Sequence, residues 1–114
     1  MIARKALAAL ATVVLASMPF GAEAGSKKAS CLLVVDGFEA VRGPCRFELM
    51  DNDGSFQIFG LNGKYFAQVL VSEDGVADGY WNKYPFAGHA ETELGTLRED
   101  GSCWSNDTAS VCAE

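Results

Sequence analysis

Asp-Gly occurs five times in this chain of 114 residues, at Asp36-Gly37, Asp53-Gly54, Asp74-Gly75, Asp78-Gly79 and Asp100-Gly101. The dipeptide is the strongest short-range signal for a tight hairpin, because glycine accepts the positive φ the turn demands and aspartate tolerates it. Four of the five separate short apolar or alternating runs. Residues 31–35 and 38–41 read as a first hairpin, 45–50 and 55–59 as a second, 64–71 and 76–81 as a third, and 94–98 and 102–105 as a fourth. A last strand at 108–111 follows the Asn106-Asp107 turn. Phe47 and Leu49 share one face, as do Phe56 and Ile58. Phe66, Gln68 and Leu70 alternate with Ala67, Val69 and Val71 in a strand apolar enough to be buried on both sides. Past the N-terminal leader no window sustains a helical period. The best candidate, residues 87–94, is short, contains Gly88 and reads equally as a strand. The fold class is all-β: a small antiparallel β-barrel or β-sandwich built from hairpins.

The N-terminus reads as a secretory signal peptide over residues 1–24. Arg4 and Lys5 form a basic start, residues 6–18 are almost wholly apolar, and Ala22-Glu23-Ala24 offers the small-x-small cleavage pattern. The apolar run is shorter than the roughly 20 residues a spanning helix needs. Cys31 follows Lys27-Lys28-Ala29-Ser30 rather than an apolar run, so no lipid or membrane anchor is expected. Residues 25–30 are polar and read as a flexible N-terminus, leaving 31–114 as a single β domain. The periplasm is the expected destination, with full secretion as the alternative.

Cys31, Cys45, Cys103 and Cys112 all lie in the exported part, and an even count in an oxidising compartment reads as two disulfides. Three connectivities are possible. Cys31–Cys45 with Cys103–Cys112 is favoured, because each pair flanks a strand-turn-strand segment. A zinc site fails on spacing, since there is no C-x-x-C and no neighbouring histidine.

Charge narrows the function. The whole chain carries 9 basic and 15 acidic side chains; without Arg4, Lys5 and Glu23 these become 7 and 14, a net charge of −7. That balance opposes binding to nucleic acid, whose phosphates call for cations, and favours a soluble protein with a neutral or basic partner. Catalytic signatures are missing. His89 is the sole histidine and no G-x-S-x-G elbow accompanies it. In a strand His89, Glu91 and Glu93 would share a face, but such a face is more often simply solvated, and no metal is expected. Asp51-Asn52-Asp53-Gly54-Ser55 begins like a calcium loop, yet Phe56 and Asn62 stand where that loop needs glycine and a bidentate glutamate. The chain therefore reads as a non-enzyme without a cofactor.

What remains is binding. Gly60-Leu61-Asn62-Gly63-Lys64-Tyr65 is a flexible, partly polar loop. Tyr80-Trp81-Asn82-Lys83-Tyr84-Pro85-Phe86 is an aromatic loop of the kind that anchors interfaces or plugs the end of a barrel. In layout these segments resemble small exported bacterial β-barrel proteins that inhibit c-type lysozyme, the MliC/PliC family. Asn62-Gly63-Lys64-Tyr65-Phe66 stands where that family has a Ser-Gly-x-x-Tyr loop, with Asn in place of Ser. The loop's aromatic spacing is met by Phe66, Tyr65 being one residue short. Trp81-Asn82-Lys83 resembles its Trp-x-Lys segment, and Cys112 its C-terminal cysteine. The resemblance implies a basic protein partner such as a c-type lysozyme. Asn62, Gly63 and Lys64 would enter the enzyme cleft, with Tyr65, Trp81 and Lys83 completing the partner-binding set. Two other functions compete: an envelope-associated structural domain without an enzyme partner, and a small-ligand carrier. A carrier requires a cavity between facing aromatics, whereas an inhibitor requires a filled interior and a projecting loop at 60–65. An open sheet would also leave an edge for a homodimer.

Overall fold

Positive φ angles fall where the Asp-Gly pairs predict turns: Asp36 at 51° and Gly37 at 82°, Gly54 at 98°, Gly75 at 76° and Gly101 at 64°. The first of these has both central residues at positive φ, the type I′ geometry whose twist matches the strands it joins. Asp78-Gly79 is different, because it lies inside a strand.

In the computed structural model residues 26–114 are described, and the leader expected at residues 1–24 lies outside the described residues. Eight strands follow in order: β1 (Ser26–Val35), β2 (Phe38–Leu49), β3 (Phe56–Gly60), β4 (Phe66–Glu73), β5 (Val76–Trp81), β6 (Thr92–Asp100), β7 (Cys103–Ser105) and β8 (Ala109–Ala113). Each pairs antiparallel with the next. β8 pairs back onto β1 from Cys31↔Ala113 to Val35↔Ala109, which closes the barrel. Closure gives every strand a neighbour on each side over part of its length.

Two local expectations change. Residues 26–30, expected to be a flexible N-terminus, are the first half of β1 and pair with β2 from Ser26↔Glu48 to Ser30↔Pro44. Their polar character reflects exposure rather than disorder, and Lys27 Nζ lies 5.6 Å from the centre of the Phe47 ring. Residues 38–41 and 45–50, expected as separate strands, are joined in β2. The intervening Gly43 sits at φ 103°. Pro44 lies just beyond Cys45↔Gly60, the last β2–β3 pair, where a missing N–H costs no ladder bond on that side.

The barrel wall alternates. Leu33, Ile58, Val69, Leu97 and Val111 are fully buried and fill the interior with Val41, Phe56, Ala67, Ala77, Leu94 and Trp104. Gly79 belongs to this packing. A Cβ there would stand 2.6 Å from Leu97 Cδ1 and 3.2 Å from Leu94 Cβ, closer than atoms pack. Outside, Gln57 Nε2 donates to Glu48 Oε1 at 2.6 Å and Gln68 Nε2 to Gln57 Oε1 at 3.1 Å, a polar row across three strands.

Both disulfides join the favoured partners, Cys31–Cys45 and Cys103–Cys112. Cys31 and Cys45 are buried in the core cluster, whereas Cys103 and Cys112 face each other across β7 and β8, next to the inward pair Trp104↔Val111. Disulfides of this kind point to an oxidising, extracytoplasmic environment.

Up-and-down topology assigns the connections to opposite rims. Those at 36–37, 61–65, 82–91 and 106–108 share one end, and those at 50–55, 74–75 and 101–102 share the other. The second rim gathers acids, with Asp53, Glu73, Asp74 and Glu99 lining an open cleft. In its longest turn the Asp53 N–H donates to Asp51 Oδ1 and the Ser55 N–H to Asp53 Oδ1. A hydrogen bond shared with the Asp53 carboxyl holds Asp51 above the usual aspartate range. The same bond, with the Ser55 N–H, holds Asp53 below it. On acidification the pair therefore takes up its first proton at Asp51, above the normal range, and its second below it. In a carboxyl NMR titration, Asp53→Asn should bring the Asp51 midpoint down; an unchanged midpoint would refute the shared bond.

Candidate functional site

The rim opposite the acids carries the segments singled out for binding. Residues 61–65 turn tightly because Asn62 Oδ1 accepts from the Lys64 N–H at 2.9 Å and the Gly63 N–H reaches Gly60 O at 3.1 Å. Gly63 stands at φ 78°, a conformation a side chain would strain. Asn62, Gly63 and Lys64 are all exposed.

Beside it, residues 82–91 link β5 to β6. The Phe86 N–H donates to Lys64 O at 2.8 Å, and the ring of Phe86 lies 3.9 Å from where a Gly63 Cβ would be. Lys83 and Phe86 adopt φ of 32° and 67°, the left-handed region, at about 1–3 kcal/mol each. Yet the Tyr84 and Phe86 side chains are each 67% exposed, so little burial of their own offsets that strain.

Asn82 supplies the compensation. It is 3% exposed and its amide is saturated. Nδ2 donates to Lys64 O at 2.9 Å and Ala87 O at 3.0 Å, with Tyr84 O farther away at 3.4 Å, while Oδ1 accepts from the Phe66 N–H at 3.0 Å. The reverse amide orientation would aim its oxygen at three carbonyls, which fixes this one. One buried side chain thus ties the 61–65 loop, the 82–91 loop and the start of β4 together. Asn82 was not among the expected site residues. An asparagine between two aromatic-rich stretches carries no sequence signal for a hub, since two of its partners, Phe66 and Lys64, are 16 and 18 residues back along the chain.

The expected residues divide into two layers. Asn62, Gly63, Lys64 and Lys83 are outside, and Lys83 Nζ lies 5.6 Å from the Tyr84 ring centre. Tyr65 and Trp81 lie beneath. Tyr65 is half-buried, with its ring centre 5.7 Å from both Phe38 and Trp81, and Trp81 is part of the core. Their contribution is to hold the loop from below. Among the described residues the one ion pair joins Arg42 to Glu39 on the barrel wall, so Lys64 and Lys83 have no carboxylate partner within ion-pair distance.

His89 and Glu91 lie in the exposed connection, Glu93 falls in β6, and the described residues bring no three His, Cys, Asp or Glu close enough to hold a metal ion. No family model, curated protein or solved structure matches the chain.

Proposed function

We propose that this is an exported binding protein of the periplasm, that its ligand is another protein, and that this ligand is a c-type lysozyme whose cleft receives the 61–65 loop. The observation that carries the reading is the joined rim. Two exposed lysines without a carboxylate partner stand beside two exposed aromatic rings, on loops stitched by a buried amide. Aromatic anchors flanked by charge are the usual energetic centres of protein interfaces. A contiguous cluster of buried apolar side chains occupies the barrel interior, and this packing favours the binding-surface reading over the carrier alternative.

The acidic rim does not contradict the use of lysines at the other end. Strands that run from 3 to 12 residues, tilted as barrel strands are, separate the rims by roughly 20 Å. Screening at physiological salt acts over about 8 Å. The acids therefore speed encounter with a basic enzyme at low salt, while contact is decided by the charges at the touching rim. Purified mature protein should inhibit a c-type lysozyme at about micromolar concentration. Lys64→Glu should weaken that inhibition about tenfold or more, and neutralising the acidic rim should slow association at low salt only. Absence of inhibition at both low and moderate salt discards the lysozyme assignment.

A further inference from the structure

The 82–91 connection poses a physical problem. A surface loop with two left-handed non-glycine residues and two bared aromatic rings should relax toward unstrained backbone and cover its rings. Its own backbone offers little resistance. The Tyr84 N–H bonds to Asn82 O, the Ala87 N–H to Tyr84 O, the Phe86 N–H reaches across to Lys64 O, and the Asn82 N–H makes only a long 3.4 Å bond to Phe66 O. The strongest remaining restraint is the Asn82 side chain, which accepts from the Phe66 N–H of β4 and donates both to Lys64 O in the neighbouring loop and to Ala87 O just past Phe86.

We propose that Asn82 is a positioning residue that sets Lys83, Tyr84 and Phe86 in their binding arrangement before any partner arrives. Burial makes this restraint strong, because an amide shielded from water loses its partners only by opening the loop as a unit. Pre-ordering matters for binding, since a surface present in only a fraction of molecules binds more weakly by that fraction. The use of the arrangement rests on the binding role proposed above; the positioning itself does not.

Hydrogen exchange by NMR on the free protein, with no partner present, tests the positioning directly. Asn82→Ser should speed exchange of the Phe66 and Phe86 amides at least about tenfold while leaving the amides of β1, β2 and β3 unchanged. Asn82→Asp retains the acceptor and removes the donors, so Phe66 should stay protected while Phe86 and Ala87 open. Unchanged loop exchange in both variants overturns the proposal. Equal loosening of the whole barrel also overturns it, because Asn82 would then serve the fold alone. If the serine variant does not fold, the aspartate variant decides by the same Phe66-against-Phe86 contrast. If that fails as well, Asn82 is a folding residue and the proposal falls.

Binding of a c-type lysozyme supplies the second readout. Asn82→Ser should weaken it about tenfold while the amides of β1, β2 and β3 keep their protection, whereas Phe86→Ser should weaken binding without altering loop exchange elsewhere. A parent protein that does not bind the enzyme removes the functional assignment, and the exchange contrast still judges the role of Asn82.

Discussion

A chain in which Cys31 and Cys45 are both replaced by alanine is expected to lose about 3–5 kcal/mol of stability, and one in which Cys103 and Cys112 are so replaced about 2–3 kcal/mol. Loop length cannot produce this difference. The bridges span 14 and 9 residues of sequence, and on chain entropy alone that separates them by only a few tenths of a kcal/mol. Position produces it. Cys31 and Cys45 are 4% and 1% exposed, and their sulfurs are part of the packed interior. Truncating both leaves a cavity between β1 and β2 in addition to the lost cross-link. Cys103 is only half-buried, so the same change at the second bridge leaves less empty space. Urea unfolding followed by Trp fluorescence will separate the two. Equal midpoints for the two double variants would show that burial of the first bridge contributes nothing.

The second large effect concerns Leu97 and Gly79. Leu97 is fully buried, and Leu97→Ala is expected to cost about 2–5 kcal/mol through lost burial and a residual cavity. Gly79→Ala is expected to cost about 1–3 kcal/mol for the opposite reason, since its new methyl would stand 2.6 Å from Leu97 Cδ1. The two changes compensate in space. With Leu97 truncated, the nearest obstructing atom is gone and only the tight contacts with Leu94, Cβ at 3.2 Å being the closest, remain, so the added methyl occupies part of the vacated volume. The double variant should therefore be more stable than the sum of the single losses predicts, by about 1–2 kcal/mol. Strict additivity in thermal or urea unfolding would mean that the strand at Gly79 shifts rather than colliding with Leu97.

Glycine at position 79 shows where the sequence is legible and where it is not. Asp-Gly at 36–37, 74–75 and 100–101 joins adjacent strands, because a tight turn is a local event whose chemistry lies within four residues. Asp78-Gly79 is the same dipeptide, yet its glycine answers to Leu97 across the barrel. The disulfide partners were readable for the local reason too, each pair bracketing one hairpin. Barrel closure was not readable, since pairing of Leu33 with Val111 joins the two ends of the domain and leaves no short-range mark. The merging of 38–41 with 45–50 was missed because Gly43-Pro44 is turn chemistry by composition, tolerated here where β3 has already ended. At the candidate site the exposed residues were visible as a polar loop beside an aromatic one. Trp81 and Tyr65 could not be told apart from surface aromatics without knowing which face of the wall they occupy. Asn82 was least visible of all, because a hydrogen-bonding hub is defined by what surrounds it.

The pairing of β1 with β8 has a consequence for the order in which the molecule matures. A polypeptide is synthesised from its N-terminus, so the first hairpin can form and its cysteines can meet while the rest of the chain is still arriving. β1 then waits through five more strands, β3 to β7, for the neighbour that covers its other side. Until residues 109–113 appear, Cys31 to Val35 offer unsatisfied peptide groups to any extended segment nearby. High contact order makes this final step the slow one. The period between the first oxidation and the docking of the last strand is therefore when the protein is most open to mispairing and most in need of an escort.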